Sequence, residues 1–213
     1  MRQIFIDLGV IGTVSSCLPI FLCLFFAKKS LNSLHWTLLL LALLYSIINV
    51  LSLVLFFDKK AIQEEFIRLY LIIEFVLISV FFIKYIHPKF FKRLSILGLF
   101  VFFVLCSGLY YYNLLSLTGT ISLFSNIFLM IYSVYIVFNT YYQSLPDKPT
   151  NQGGILIVFS VLFYACVQFY FSVFDLVIRD DSMEIFYYLW PIFQIGTIIY
   201  YVSFTLGLWK LVK

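Results

Sequence analysis

Long apolar runs, broken by short polar segments, set the pattern of this chain. A helix needs about 20 mostly apolar residues to cross about 30 Å of hydrocarbon. Seven stretches reach that length, at residues 4–26, 36–57, 66–85, 94–112, 121–142, 154–178 and 185–209. Runs such as residues 38–44 and 95–105 are apolar on every face, whereas a membrane strand would alternate apolar and polar positions. The pattern therefore predicts an all-α membrane protein, a single seven-transmembrane-helix bundle over residues 1–213.

The breaks carry turn and charge signals. Ser30, Asn32 and Ser33 follow the first run, Asp58, Lys59 and Lys60 the second, and His87 and Pro88 the third. Residues 113–120 form an uncharged break with Asn113, Thr118 and Gly119 as turn signals, residues 146–153 a polar loop, and residues 179–182 the last connection. The first run has only Arg2 before it and Lys28 and Lys29 after it, so it reads as a retained span rather than a cleavable signal.

Composition agrees with this reading. The 213 residues are 63% apolar, 21% aromatic and 11% charged, where a soluble domain carries about 25% charged residues. A soluble globule, a disordered tail, a nucleic-acid module and a disulfide-rich domain are all excluded on that ground. The net charge of +4 sits in clusters between the apolar runs, as topology signals do. With the N-terminus outside, inner segments hold Lys28, Lys29, Lys84, Lys89, Lys92, Arg93, Lys148, Lys210 and Lys213, and outer segments hold Arg2, Lys59, Lys60, Arg68 and Arg179. The bias predicts an outer N-terminus and a cytoplasmic C-terminus in a multi-pass membrane protein. Tyrosines at residues 110–112, 141–142 and 187–188, with Trp36 and Trp209, fit interfacial belts.

Candidate chemistry lies in the polar residues inside the runs. Glu74 stands near the middle of the third. A carboxylate there costs about 2.5–3.5 kcal/mol on insertion scales and should face the bundle interior or water. No lysine or arginine shares its depth, so Glu74 is expected to be protonated or solvated in a cavity. Counted from alternating ends, Asn49, Asn126, Gln168 and Gln194 fall at a similar depth, in the outer half. Helical spacing extends them into stripes: Tyr45, Asn49 and Ser52; Tyr70 and Glu74; Ser122, Asn126 and Ser133; Tyr164, Gln168 and Asp175; Tyr187, Trp190, Gln194 and Tyr201. Either these residues make ordinary interhelical hydrogen bonds, or they line a polar pocket open to the outside. The pocket reading makes Glu74, Asn49, Asn126, Gln168, Gln194, Tyr70, Tyr164 and Trp190 the candidate ligand-binding residues, with Pro191 and Gly196 bending the seventh helix nearby.

Other chemistry is missing from the sequence. Cys17, Cys23, Cys106 and Cys166 lie in apolar runs without metal-ligand spacing and read as apolar fillers. His35 and His87 sit at run boundaries, with no HExxH motif, no serine–histidine dyad at depth and no paired intramembrane aspartates. Asp180 and Asp181 lack the second acidic cluster of a prenyl-diphosphate metal site, and the seventh run has no central lysine for retinal. No cofactor and no nucleic acid is expected.

The third run, with Ile72, Ile73, Glu74 and Phe75 through Phe82, and the final run, with Leu189, Trp190, Gly207, Leu208, Trp209 and Lys210, resemble small bacterial seven-span proteins of unknown function. That family is related to membrane input domains of sensor histidine kinases. The resemblance implies a sensory or signalling role beside a partner such as a histidine kinase. In that family the fifth span often carries a carboxylate; Asn126 occupies the position here. The expected function is thus a membrane sensor or accessory signalling protein binding a small or lipid-like ligand. The alternatives are a small-molecule or proton-coupled transporter using Glu74, and a lipid-modifying enzyme.

Overall fold

A computed structural model describes residues 2–26, 33–55, 60–85, 89–111, 117–143, 152–178 and 183–212, and every described residue is helical. The helices are α1 (Arg2–Phe26), α2 (Ser33–Leu55), α3 (Lys60–Tyr85), α4 (Lys89–Tyr111), α5 (Leu117–Gln143), α6 (Gln152–Ile178) and α7 (Met183–Val212). Among the described residues, five helices are long and apolar enough to cross a membrane, over Phe66–Lys84, Lys92–Leu109, Thr118–Asn139, Gln152–Phe174 and Tyr188–Leu211, and α1 and α2 contribute the apolar stretches Asp7–Leu22 and Trp36–Leu51. Lys28, Lys29, Lys59, Lys148, Arg179 and Lys213, on which much of the orientation argument rests, lie outside the described residues.

Apolar side chains explain why helices form here, because a helix satisfies its own backbone polar groups without water. Outward positions remain apolar: Val14, Phe21, Leu69, Phe100, Phe138 and Ile192 are each more than half exposed. A water-soluble bundle would place charge on that surface. Pro19 lies inside α1 and Pro191 inside α7, positions tolerated in apolar bundles because neighbouring groups satisfy the freed carbonyl.

Helix ends depart from the apolar runs where polar residues are good helix formers. The helix α3 begins at Lys60, ahead of the run at Phe66, and takes in Gln63, Glu64 and Glu65. Thr118 and Gly119, expected in a turn, belong to the first turn of α5. Gly119 is buried there, and Thr118 Oγ1 accepts a hydrogen bond from Arg68 Nε at 3.0 Å. Gly153, expected in a loop, belongs to the first turn of α6.

Neighbouring helices follow the order α1, α2, α3, α5, α6, α7 and back to α1, which closes a ring. The helix α4 stands outside it, packed on α3 and α5. Only 17% of its apolar window is buried, against 39–44% for the other four. Tyr132 of α5 holds α4 in place: its ring lies over Gly98, and its hydroxyl donates to Ser95 O at 3.3 Å. The ring interior is filled by Tyr45, Phe75, Ile78, Phe82, Tyr200 and Phe204, all fully buried.

At one end of the bundle α6 and α7 touch backbone to backbone. A Cβ on Gly153 would stand 2.7 Å from Gly207 O, and a Cβ on Gly207 would stand 2.6 Å from Ile157 Cγ1 and 3.0 Å from Gly153 O. Small residues allow this approach between helices whose other faces are equally apolar. Gly207→Ala is therefore expected to destabilise the protein by about 1–3 kcal/mol through overpacking, read as a lower thermal midpoint in detergent. Gly108→Ala meets nothing within 4 Å and should leave the midpoint unchanged or raise it, since alanine favours a helix by about 1 kcal/mol over glycine.

Candidate functional site

Glu74 and Tyr70 stand one turn apart on α3, so their side chains share a face. Tyr70 Oη donates to Glu74 Oε1 at 3.0 Å. The Tyr70 and Tyr164 hydroxyls are 3.3 Å apart, and Gln168 Nε2 donates to Tyr164 Oη at 2.9 Å from one turn further along α6. A hydroxyl carries one proton. With Tyr70 donating to the acid, the single proton of Tyr164 is left to serve either Tyr70 or Glu74 itself. In both cases the donors of Gln168, Tyr164 and Tyr70 run toward the carboxyl.

A second layer of tyrosines comes from α2 and α7. Tyr45 Oη lies 2.7 Å from Tyr200 Oη. Asn49 Nδ2 donates to Tyr201 Oη at 2.8 Å and to Tyr45 O at 2.7 Å. The hydroxyls of Tyr45 and Tyr164 also face the Glu74 carboxyl. Tyr164 and Tyr200 stack, with centroids 4.4 Å apart and planes at 24°. Tyr45 sits edge-on to Tyr70, Tyr164, Tyr200, Tyr201 and Phe204, at centroid distances of 5.2–6.5 Å. Edge-to-face and offset-stacked rings at such spacing attract by about 0.5–1.5 kcal/mol per pair beyond burial.

Glu74 is 4% exposed, and Tyr45, Tyr164, Tyr200 and Tyr201 are at most 2% exposed. Among the described residues no lysine or arginine reaches the carboxyl. Arg68 and Lys84, on the same helix, lie about 9 Å and about 15 Å away along the axis at 1.5 Å per residue. Each is directed elsewhere, Arg68 to Thr118 of α5 and Lys84 Nζ to Thr37 Oγ1 of α2 at 2.8 Å. The site is thus an acid satisfied by neutral donors and walled by aromatic rings.

The structure brings Glu74, Tyr70, Tyr164 and Gln168 into one hydrogen-bonded chain and sets Asn49 beside it. Asn126 lies in the α5–α6 seam instead. Its Nδ2 donates to Ser122 O at 2.7 Å and approaches Ser122 Oγ at 3.2 Å. Ser172 Oγ stands 2.7 Å from Ser122 Oγ and 2.8 Å from Gln168 O, so among the described residues this cluster meets the Glu74 chain through the Gln168 backbone. Gln194 faces α1, where a Cβ on Gly12 would stand 3.2 Å from its Oε1. Trp190 is half-buried on α7, about 16 Å along the axis from Tyr201 at 1.5 Å per residue. The side chains of Ser52, Asp175 and Tyr187 lie outside the described residues.

Three site residues are absent from the candidate ligand-binding set: Tyr45 and Tyr201 stand in the polar stripes without being among the candidates, and Tyr200 stands in no stripe. The available signal was position: Tyr45, Tyr200 and Tyr201 lie deep inside apolar runs, far from the run ends where interfacial tyrosines collect. Among the described residues no group of histidine, cysteine, aspartate and glutamate is arranged to hold a metal. A groove of about 270 Å³ opens between α6 and α7, lined by Phe163, Val167, Tyr170, Leu189, Ile192 and Phe193.

Tyr200 separates the two contributions to the cluster. Tyr200→Phe keeps the stack on Tyr164 and removes one hydroxyl contact, a loss of about 1 kcal/mol. Tyr200→Ala empties the ring's volume as well and should destabilise by about 3 kcal/mol or more. Chemical or thermal unfolding in detergent should rank the wild type above Tyr200→Phe and Tyr200→Phe well above Tyr200→Ala.

Comparison with known proteins finds no matching protein-family model, no matching curated protein and no matching solved structure.

Proposed function

We propose that this chain is a seven-span sensor or accessory signalling protein of a bacterial inner membrane, with its N-terminus outside and its C-terminus in the cytoplasm. Five helices long and apolar enough to cross a membrane support the membrane setting. The 25 residues of α1 and 23 of α2 are each sufficient for a further crossing, since about 20 residues suffice. The lysine and arginine bias of the sequence supports the orientation.

The observation that carries the sensor reading is the convergence of α2, α3, α6 and α7 on one buried acid. Glu74, Tyr70, Tyr45, Tyr164 and Tyr200 are held by contacts between helices rather than within one. A small or lipid-like molecule that engages Glu74 changes those contacts and shifts α6 and α7 against the rest. The cytoplasmic ends of the helices, with the basic segment Lys89, Lys92 and Arg93 and with Lys210, then carry the change to a signalling partner such as a histidine kinase.

A second reading, proton-coupled transport, draws on the directed donor chain from Gln168 to Glu74, because aligned hydroxyls relay protons. The two differ in their consequences. For a sensor, a ligand library screened by thermal shift on the nanodisc-reconstituted protein should yield binders that Glu74→Gln weakens by about tenfold or more, the loss of one charged hydrogen bond. Binders that are indifferent to Glu74→Gln would remove the sensor reading. Solute flux in proteoliposomes driven by a pH gradient and abolished by the same substitution would replace it with transport.

A further inference from the structure

We infer that Glu74 holds an exchangeable proton, and that its loss releases a tie between α3 and α6 across the interior of the bundle. This inference rests on the sensor reading, in which the contacts at Glu74 are the switch, and adds the proton as an input that acts on them.

The supply of protons is the first argument. A phenolic hydroxyl donates once and accepts through two lone pairs. Around the carboxyl, Tyr70 meets both Glu74 and Tyr164, Tyr45 meets Tyr200, and Tyr45 and Tyr164 both face Glu74. Tyr45, Tyr70, Tyr164 and Tyr200 bring one proton each, so beside an ionised acid one of these contacts sets lone pair against lone pair. A proton on Glu74 fills it. Glu74 then donates to Tyr164, Tyr164 to Tyr70, and Tyr70 back to Glu74 Oε1, a closed triangle in which every group gives and accepts. Gln168 Nε2 uses the remaining lone pair of Tyr164. Such linked bonds strengthen one another in a low-dielectric interior, and a neutral acid avoids the cost of burying a charge.

The surroundings of the acid are phenols and hydrocarbon. Among the described residues, the titratable groups that act with Glu74 are Tyr45 of α2, Tyr70 of α3, Tyr164 of α6, and Tyr200 and Tyr201 of α7. From α1, Cys17 approaches Tyr201. From α4 and α5, Phe102 and Phe128 pack on Phe75, the residue after the acid.

The position of the triangle in the fold is the second argument. The packing order sets α5 between α3 and α6, and α1 between α2 and α7. The Tyr70–Tyr164 contact therefore ties α3 to α6, and the Tyr45–Tyr200 contact ties α2 to α7, each across the interior. Both ties meet at one carboxyl. Once Glu74 is ionised, the proton of Tyr164 serves the carboxylate or Tyr70 but not both, and the triangle opens. Tyr164 stacks on Tyr200, so its displacement passes to α7. The proton leaves to solvent through transient local opening, the route by which buried groups exchange.

The test uses the full chain in nanodiscs. Infrared spectra are recorded from about pH 5 to about pH 9, below the ordinary tyrosine range, with isotope-labelled glutamate to separate its bands from those of aspartate. The other glutamates, Glu64, Glu65 and Glu184, stand near the starts of α3 and α7. The wild type should show a glutamic-acid C=O band at neutral pH that disappears on alkalinisation. Glu74→Gln, nearly isosteric and checked for folding by size exclusion, should lack the band, and Tyr70→Phe should shift it. Helix movement is read from a nitroxide on Cys166, exposed on α6, with Cys17, Cys23 and Cys106 replaced by alanine. Its resonance spectrum should become more mobile as the band is lost. Glutamine gives and accepts as a neutral acid does, so Glu74→Gln should hold the spectrum in its acidic form throughout. Absence of the band over the whole range would mean an ionised Glu74 and overturn the inference. So would a band that persists unchanged to the upper limit, a label indifferent to the titration of Glu74, or a pH response that survives Glu74→Gln. In each of those cases the separate ligand screen still decides the sensor reading on its own.

Discussion

An acid inside an apolar bundle must find hydrogen-bond donors, because no solvent supplies them and leaving a charged or polar group unpaired costs far more than one bond returns. Glu74 finds them in tyrosine. Tyrosine suits the position because its ring packs as a large hydrophobe while its hydroxyl serves as a donor at the far end. Each hydroxyl can both give and accept, so donors link into chains. The need to satisfy one carboxyl therefore orders side chains on four helices. That explains why Tyr45, Tyr164 and Tyr200 are among the most deeply buried groups in the molecule.

Packing elsewhere is graded around that centre. Glycines bring the backbones of α6 and α7 together at one end, and aromatic and aliphatic side chains of both helices line the groove toward the other, with the ring of Phe171 against that of Phe193 at 4.5 Å. The helix α4, outside the ring, presents Ile96, Leu97, Phe100 and Val104 outward. Among the described residues, the buried hydroxyls of Ser79, Ser95 and Ser133 have no hydrogen-bond partner. They stand on α3, α4 and α5, apart from the hydrogen-bonded groups at Glu74.

Much of this was legible in the sequence, and the limits are physical. Apolar run length reports helices well because the chemistry of the backbone leaves few alternatives in an apolar setting. Glu74 was legible because a lone acid in such a run is anomalous whatever surrounds it. Position around the helix was not. Counting from helix ends sets Asn126 and Gln194 level with Glu74, but which side chains meet depends on which helices are neighbours and how they are staggered: the α7 residue at the Glu74 cluster is Tyr200, while Gln194 lies against Gly12 of α1. That α3 meets α5 directly, with α4 displaced outward, is not encoded in any local pattern. Tyr200 and Tyr201 show the same limit: adjacent residues point about 100° apart on a helix turning 3.6 residues per turn. Both are buried only because α7 is flanked by α1 on one side and α6 on the other. Thr118 and Gly119 show another limit, since a glycine that signals a turn also serves as a small buried residue in a helix.

The i, i+4 placement of Tyr70 before Glu74 has a consequence for how the chain is made. Synthesis proceeds from the N-terminus, so α3 exists before α6 and α7 have left the ribosome. Tyr164 and Tyr200 are not yet available to the acid at that stage. Tyr70, on the same helix, accompanies it from the start and supplies a donor during insertion. The carboxyl thus carries its own escort through biogenesis, and the partners that complete its surroundings arrive only with the last third of the polypeptide.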